Sequence, residues 1–134
     1  MIVIVCLDHN NGMLFNARRQ SQDRVLINDV VSTIGDKRLY IYEYSASLFS
    51  GYSSKYLVSK DPLNEAQDGD FCFIEDQHLV PYQSKIEKFV IYRWNRTYPA
   101  DFIFDIDLSG YELISTTDFR GSSYEKITKE VFHK

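Results

Sequence analysis

Glycine and proline are scarce in this chain, six and three among 134 residues. That excludes a collagen-like repeat and a Pro/Gly-rich disordered tract. Cysteine is scarcer still. Cys6 and Cys72 each sit inside an apolar run, where a cysteine behaves as a small hydrophobe, and a disulfide-stapled miniprotein is excluded. Long hydrophobic runs are missing. The apolar stretch Ile2–Leu7 stops at Asp8, too early for a membrane span or a signal segment, so a cytoplasmic protein without a membrane partner is expected. The three histidines, His9, His78 and His133, lie far apart and offer no metal-ligand spacing. A basic excess is also lacking: 15 Lys and Arg stand against 19 Asp and Glu, for a net charge of −4. This excludes a strongly basic nucleic-acid binder. Nucleophile-elbow, Cys–His and Walker patterns are absent.

What the chain does have is aromatic residues, ten Tyr and nine Phe against one Trp. Flat rings pack well on pleated surfaces, so this usage favours sheet. A chain of this length buries roughly two-thirds of its unfolded surface and can stand on one core. No repeat, low-complexity tract or linker divides it, so residues 1–134 are expected to form a single domain. Ile2–Leu7 is apolar throughout and β-branched, the pattern of a strand covered on both faces. His9-Asn10-Asn11-Gly12 ends it as a turn. Ser21 is expected to cap a helix running to about Ile34 and closed by Gly35. Ile27, Val30, Val31 and Ile34 then form one apolar face. Further strands are expected at Arg38–Tyr42, Lys55–Ser59, Phe71–Ile74, Phe89–Trp94, Asp101–Ile106 and Tyr111–Thr116. Gln77–Ile86 reads as a helix that Pro81 limits or kinks. The segment 124–132 fits either a capped helix or the second strand of a hairpin. Strands interleaved with helices, then strands alone, give an α/β domain with a mixed sheet.

The order of these pieces resembles the dihydrofolate reductase family. Phe89 to Phe104, read as FVIYRWNRTYPADFIF, is similar to the family's strand "rLYLTrId" and its continuation "f.GDt.FP". Tyr111-Glu112-Leu113-Ile114-Ser115 stands where the family has "W.lvs", and Ile2–Leu7 with Asp8-His9-Asn10-Asn11-Gly12 is similar to the first strand and the "D.NNGIG" turn. The resemblance implies a dihydrofolate-reductase-like three-layer domain. Its central sheet is mixed and mostly parallel, and one edge strand and one helix are missing between Ser59 and Phe71. It also implies that Ile2–Leu7 and Phe71–Ile74 are neighbouring parallel strands at the sheet centre.

The same resemblance sets the candidate site. Asp23 takes the place of the family's single ionisable active-site group, a carboxylate that helps protonate the pterin. Residue by residue, the resemblance puts Val5, Ile27 and Tyr92 in the substrate cleft, Tyr92 at the family's buttressing Thr. A first-turn helix position explains Asp23 equally well, since acidic side chains there favour the dipole. If Asp23 is a buried relic, Asp23→Asn should stabilise the fold or leave it unchanged. On the cofactor side the departures are stronger. Glu75-Asp76 stands where the family has Gly-Gly beside the NADPH pyrophosphate, and Glu43 stands where it has a phosphate-binding Arg. Ala17-Arg18-Arg19-Gln20 replaces its Leu-Pro-Trp, and its folate-carboxylate Arg falls near Ser53. Carboxylates near phosphates are repelled by about 1 kcal/mol per pair even in water. No cofactor is therefore expected.

Other patterns have bland and sharp readings. Lys85, Lys88, Arg93 and Arg96, with Tyr92, Trp94 and Tyr98, could form an RNA-stacking face or a solvated sheet edge. Asp101, Asp105 and Asp107 could face a cation or follow an ordinary polar-out strand. No metal is expected. The leading expectation is a divergent, non-catalytic binding or regulatory protein, with a small molecule or protein as partner and no nucleic acid. The alternatives are an NADPH-dependent reductase of dihydrofolate or another pterin, with Asp23 as the acid, and an RNA- or protein-interaction module.

Overall fold

The computed structural model describes residues 1–15, 18–19, 21–96 and 100–134, the side chains of Phe15, Arg18 and Ser53 apart. Ala17, Gln20 and Tyr98, each part of an expectation above, lie outside them. The chain folds as an α/β domain around a seven-strand sheet. In chain order its strands are β1 (Ile2–Leu7), β4 (Leu39–Ile41), β5 (Leu57–Val58), β6 (Phe71–Ile74), β7 (Lys88–Arg93), β9 (Glu112–Phe119) and β10 (Ile127–His133). A smaller sheet joins β2 (Gly12–Phe15), β3 (Arg18–Arg19) and β8 (Phe102–Ile103).

The large sheet runs β5-β4-β6-β1-β7-β10-β9. Pairing is parallel from β5 to β7, and antiparallel where β10 joins β7 and β9. Strand β1 lies at the centre with Val3 opposite both Cys72 and Phe89. All four residues of β6 are buried, as are the last five of β1. This is the continuous apolar pattern of strands covered on both faces. Cys6 and Cys72 are buried free thiols, and burial pushes both well above the usual thiol range.

Alternation along the strands divides the core. Ile4, Cys6, Phe71, Phe73, Val90 and Tyr92 face one way, toward Leu26, Ile27, Val30 and Ile34 of helix α1 (Arg24–Ile34). Val3, Val5, Leu7, Cys72, Ile74, Phe89 and Ile91 face the other way, toward Leu63, Leu79, Phe104 and Tyr111. Leu63 belongs to a single helical turn, α2 (Pro62–Glu65). The first face is also covered by a 3-10 stretch, Glu43–Lys55, which inserts Phe49 edge-on against Phe73 at 5.2 Å between ring centres.

Helix α1 starts two residues later than its sequence suggests. Its cap is Asp23, not Ser21. The Asp23 backbone is extended (φ −146°, ψ 121°) and its carboxylate accepts from the N–H groups of Val25 and Leu26, which would otherwise lack intrahelical partners. Gly35, at φ 57°, ends the helix where a side chain would be strained. Pro81 leaves only a 3-10 stretch, Val80–Lys85, in place of the expected helix. Segment 124–132 resolves as the hairpin alternative, since β10 pairs antiparallel with both β7 and β9.

Phe49 is fully buried although it sits in an irregular stretch. Phe49→Ala is expected to cost about 3–5 kcal/mol, whereas Ile114→Thr on the exposed strand β9 should change stability by less than about 0.5 kcal/mol. Urea denaturation of both variants checks this contrast.

Candidate functional site

In open α/β sheets ligands bind beyond the carboxyl ends of the parallel strands, and that end is where the polar groups of this fold collect. A cleft of about 330 Å³ opens there between the start of α1, the 3-10 stretch and the turn joining β9 to β10. Ile27, Leu48 and Tyr52 give it an apolar side, and Gln22, Arg24, Ser47, Ser122 and Ser123 a polar one. Asp23 is in its lining, although the residue is only 3% exposed.

Asp23 ties this region together. Oδ1 accepts from Val25, Leu26 and Ser122 N–H at 2.9, 3.0 and 3.0 Å, and Oδ2 accepts from Ser123 N–H at 2.8 Å. The return contacts are Arg24 N–H to Ser122 Oγ and Ser123 Oγ–H to the Gln22 carbonyl. Gly121 is required beside them, because a Cβ there would collide with the Asp23 carboxylate and Ile127. Burial alone would raise the pKa of Asp23. The N–H groups of Ser123, Ser122 and Leu26 outweigh it and hold the carboxyl below its ordinary range. The geometry is that of a fixed anion.

Behind Asp23 lies a second carboxyl group. Glu75 follows β6 directly and is 5% exposed. Ser21 Oγ–H donates to its Oε1 at 2.5 Å, and Arg19 Nη2 approaches Oε2 at 3.6 Å. Oε2 is buried without a hydrogen bond. Arg19 is itself anchored, donating to the Tyr44 carbonyl at 2.6 Å and to Ser47 Oγ at 3.3 Å, with its guanidinium over the Tyr44 ring. Burial pushes the Glu75 carboxyl up to about 7, against the pull of the Ser21 hydroxyl and the Arg19 charge. Ser21 thus serves this carboxyl rather than the helix, and its carbonyl accepts from Asp23 N–H at 2.8 Å. Asp76 is half-buried, with Gln77 Nε2 at 3.3 Å.

The expected cleft residues do not come together as a set. Ile27 lines the cleft. Tyr92 shares the α1 face but is fully buried, and its hydroxyl donates to Asp29 Oδ2 at 2.6 Å, not to Asp23. Val5 lies on the opposite face of the sheet; in β1 it is Cys6 that faces α1. A period of two sends adjacent residues to opposite faces. Sequence spacing had no means of finding Asp29. Lys129 Nζ reaches it at 2.9 Å and Thr33 Oγ1 at 2.7 Å, so this cluster joins α1 to β7 and β10.

Two aromatic members of the basic-aromatic grouping are not exposed. Tyr92, in β7 between β1 and β10, and Trp94, directly after it, are both buried. Arg93 is bound to Glu130 and Asn11, and Lys85 to the Leu63 carbonyl. Asp105 accepts from Leu79 and Val80 N–H, tying its segment to the start of the 3-10 stretch Val80–Lys85, and Asp107 accepts from Ser109 N–H in a local turn. Among the described residues no group of three or more His, Cys, Asp or Glu side chains is placed to hold a metal ion. Nor is any helix among them long and apolar enough to cross a membrane. No family model matches the chain, and no curated protein matches it in sequence.

The two carboxyl groups respond oppositely to substitution. Asp23→Asn replaces one acceptor oxygen by a donor facing backbone N–H groups, and is expected to destabilise the fold by about 1–3 kcal/mol. This reverses the sign of the relic expectation. Glu75, raised to about 7 from an ordinary 4.5, leaves the folded protein holding more protons than the unfolded chain between those values. Its contribution to stability is therefore fully present below about pH 4.5 and is lost as pH rises through about 7. Glu75→Gln should stabilise the protein by roughly 1–3 kcal/mol at pH 8 and hardly at all at pH 4. Denaturant unfolding across that pH range checks both variants.

Proposed function

We propose that this chain is a shortened dihydrofolate-reductase-like domain whose cofactor side is closed, and that it acts by binding rather than by catalysis. The observation that carries the reading is the position of the Glu75 carboxyl. The resemblance aligns Glu75-Asp76 with a Gly-Gly pair whose backbone approaches the cofactor pyrophosphate. Here the side chain after β6 turns inward onto Ser21 and Arg19, so the chain's own anion takes up the nearby cation. A phosphate brought to the same place would meet a carboxyl group, the opposite of the uncompensated positive end that anion sites use. The parallel pairing of β1 with β6 at the sheet centre supports the fold side of the reading. The cleft of about 330 Å³ beside α1 supports the binding side, being of a size for a small polar molecule.

The reductase alternative needs Asp23 to deliver a proton. A carboxylate fixed by four N–H groups and held below its ordinary pKa is poorly suited to that task near neutral pH. The RNA-binding alternative loses the buried aromatic faces of Tyr92 and Trp94.

Titration calorimetry with NADPH tests the proposal. Two lost charge-assisted contacts plus repulsion amount to roughly 4–7 kcal/mol, so binding weaker than about 1 mM is expected. The double variant Glu75→Gly, Asp76→Gly should bind at least about tenfold more tightly. A dissociation constant below about 10 μM for the unaltered protein would restore the reductase reading.

A further inference from the structure

The opposite end of the sheet from β9 has a different character. Strand β5 is its last strand, and among the described residues nothing pairs with its outer edge. Both its side chains are exposed, Leu57 at 49% and Val58 at 47%. Ser59 N–H donates inward to the Ile41 carbonyl at 3.0 Å. Backbone groups of successive strand residues point to alternate sides, so those of Val58 point outward. An unpaired edge of this kind is a template for another extended segment, and charges beside it repel segments of the same sign.

Cations outnumber anions beside this edge. Lys37, Arg38 and Lys55 line a groove of about 250 Å³ that reaches Leu57 and contains a single carboxylate, Asp36. Lys60, two residues beyond Val58, is also exposed. None of these four cations enters an ion pair among the described residues. They stand out in a chain of net charge −4; Arg38 also bonds Tyr40 and feels the Asp70 charge, and the remaining excess of positive charge favours an anionic partner. Exposed apolar side chains beside a free backbone edge fit an extended peptide, which supplies both backbone hydrogen bonds and alternating side chains.

We propose that the β5 edge is a docking site for an acidic, extended peptide segment of a partner protein, which adds to the sheet as a further strand. The inference is independent of the cleft beside α1 and of NADPH binding. Its probe is a fluorescein-labelled peptide of about seven residues alternating Glu and Val, followed by fluorescence anisotropy. The expected result is saturable binding that the matching Lys/Val peptide does not show. The double variant Lys55→Glu, Lys60→Glu should weaken binding by at least about tenfold. Val58→Pro removes the outward N–H and leaves the β4 pairing in place, as proline at a sheet edge does. It should abolish binding while the far-ultraviolet dichroism stays unchanged. Binding that survives Val58→Pro, or that a single-stranded oligonucleotide reproduces, would reduce the site to simple charge attraction and overturn the proposal. Concentration-dependent self-association that competes with the peptide would overturn it too, by assigning the edge to a second copy. Should the proline variant misfold, the charge-reversed variant decides alone: unchanged affinity there contradicts the proposal.

Discussion

Strand β6 is buried along its length, and Glu75 inherits that burial with a carboxyl group where the preceding residues have apolar side chains. An isolated carboxylate in such a place is costly, so its surroundings must either neutralise it or supply partners. The fold does some of each. Ser21 gives one hydrogen bond, Arg19 gives a charge at 3.6 Å, and one oxygen remains unbonded. The consequences spread outward. Arg19 is held against Tyr44 and Ser47, which places the start of the 3-10 stretch, and Ser47 in turn lines the cleft. One buried carboxyl group thereby sets the arrangement of three chain segments at the carboxyl end of the sheet.

Asp23 complements it. This carboxylate is fully provided with donors, two from the helix it caps and two from the turn between β9 and β10, about one hundred residues away. It closes the distance between the beginning and the end of the domain and fixes the wall of the cleft. Both groups act on the buried Cys6 thiol, adding to the upward push of burial itself. Neighbouring carboxyl groups with environments that push their pKa values apart are a pattern seen in active sites. Here the ionised member accepts from four backbone N–H groups, and the protonatable member is only 5% exposed. Both carboxyl groups join separate chain segments, and a fold by itself assigns no function.

How much of this was legible in the residues varies with the range of the forces involved. Ile2–Leu7 and Phe71–Ile74 announce their burial through composition alone, because only a strand covered on both faces tolerates six and four residues of that kind. The far end of α1 was legible in Gly35. Its near end was not, since Ser21 and Asp23 are both good caps and the choice is made by Ser122 and Ser123, which no local pattern connects to them. The strand-or-helix ambiguity of 124–132 was settled by pairing with β7, a contact at long sequence range. Of the small sheet, β8 falls inside the strand expected at Asp101–Ile106, whereas β2 and β3 were missed because they are four and two residues long, too short for alternation to register. Tyr92 pairs with Asp29, six residues beyond Asp23 along α1, a contact between strand and helix that spacing within the helix could not supply.

The central claim is that the carboxyl end of the central strands is occupied by a buried, protonatable Glu75 rather than kept open for an anion. The most direct measurement is a pH titration of the Glu75 side-chain carboxyl carbon by NMR, assigned by comparison with Glu75→Gln. The account predicts a midpoint near 7. A midpoint near the ordinary 4.5 would show a solvated carboxylate and contradict it.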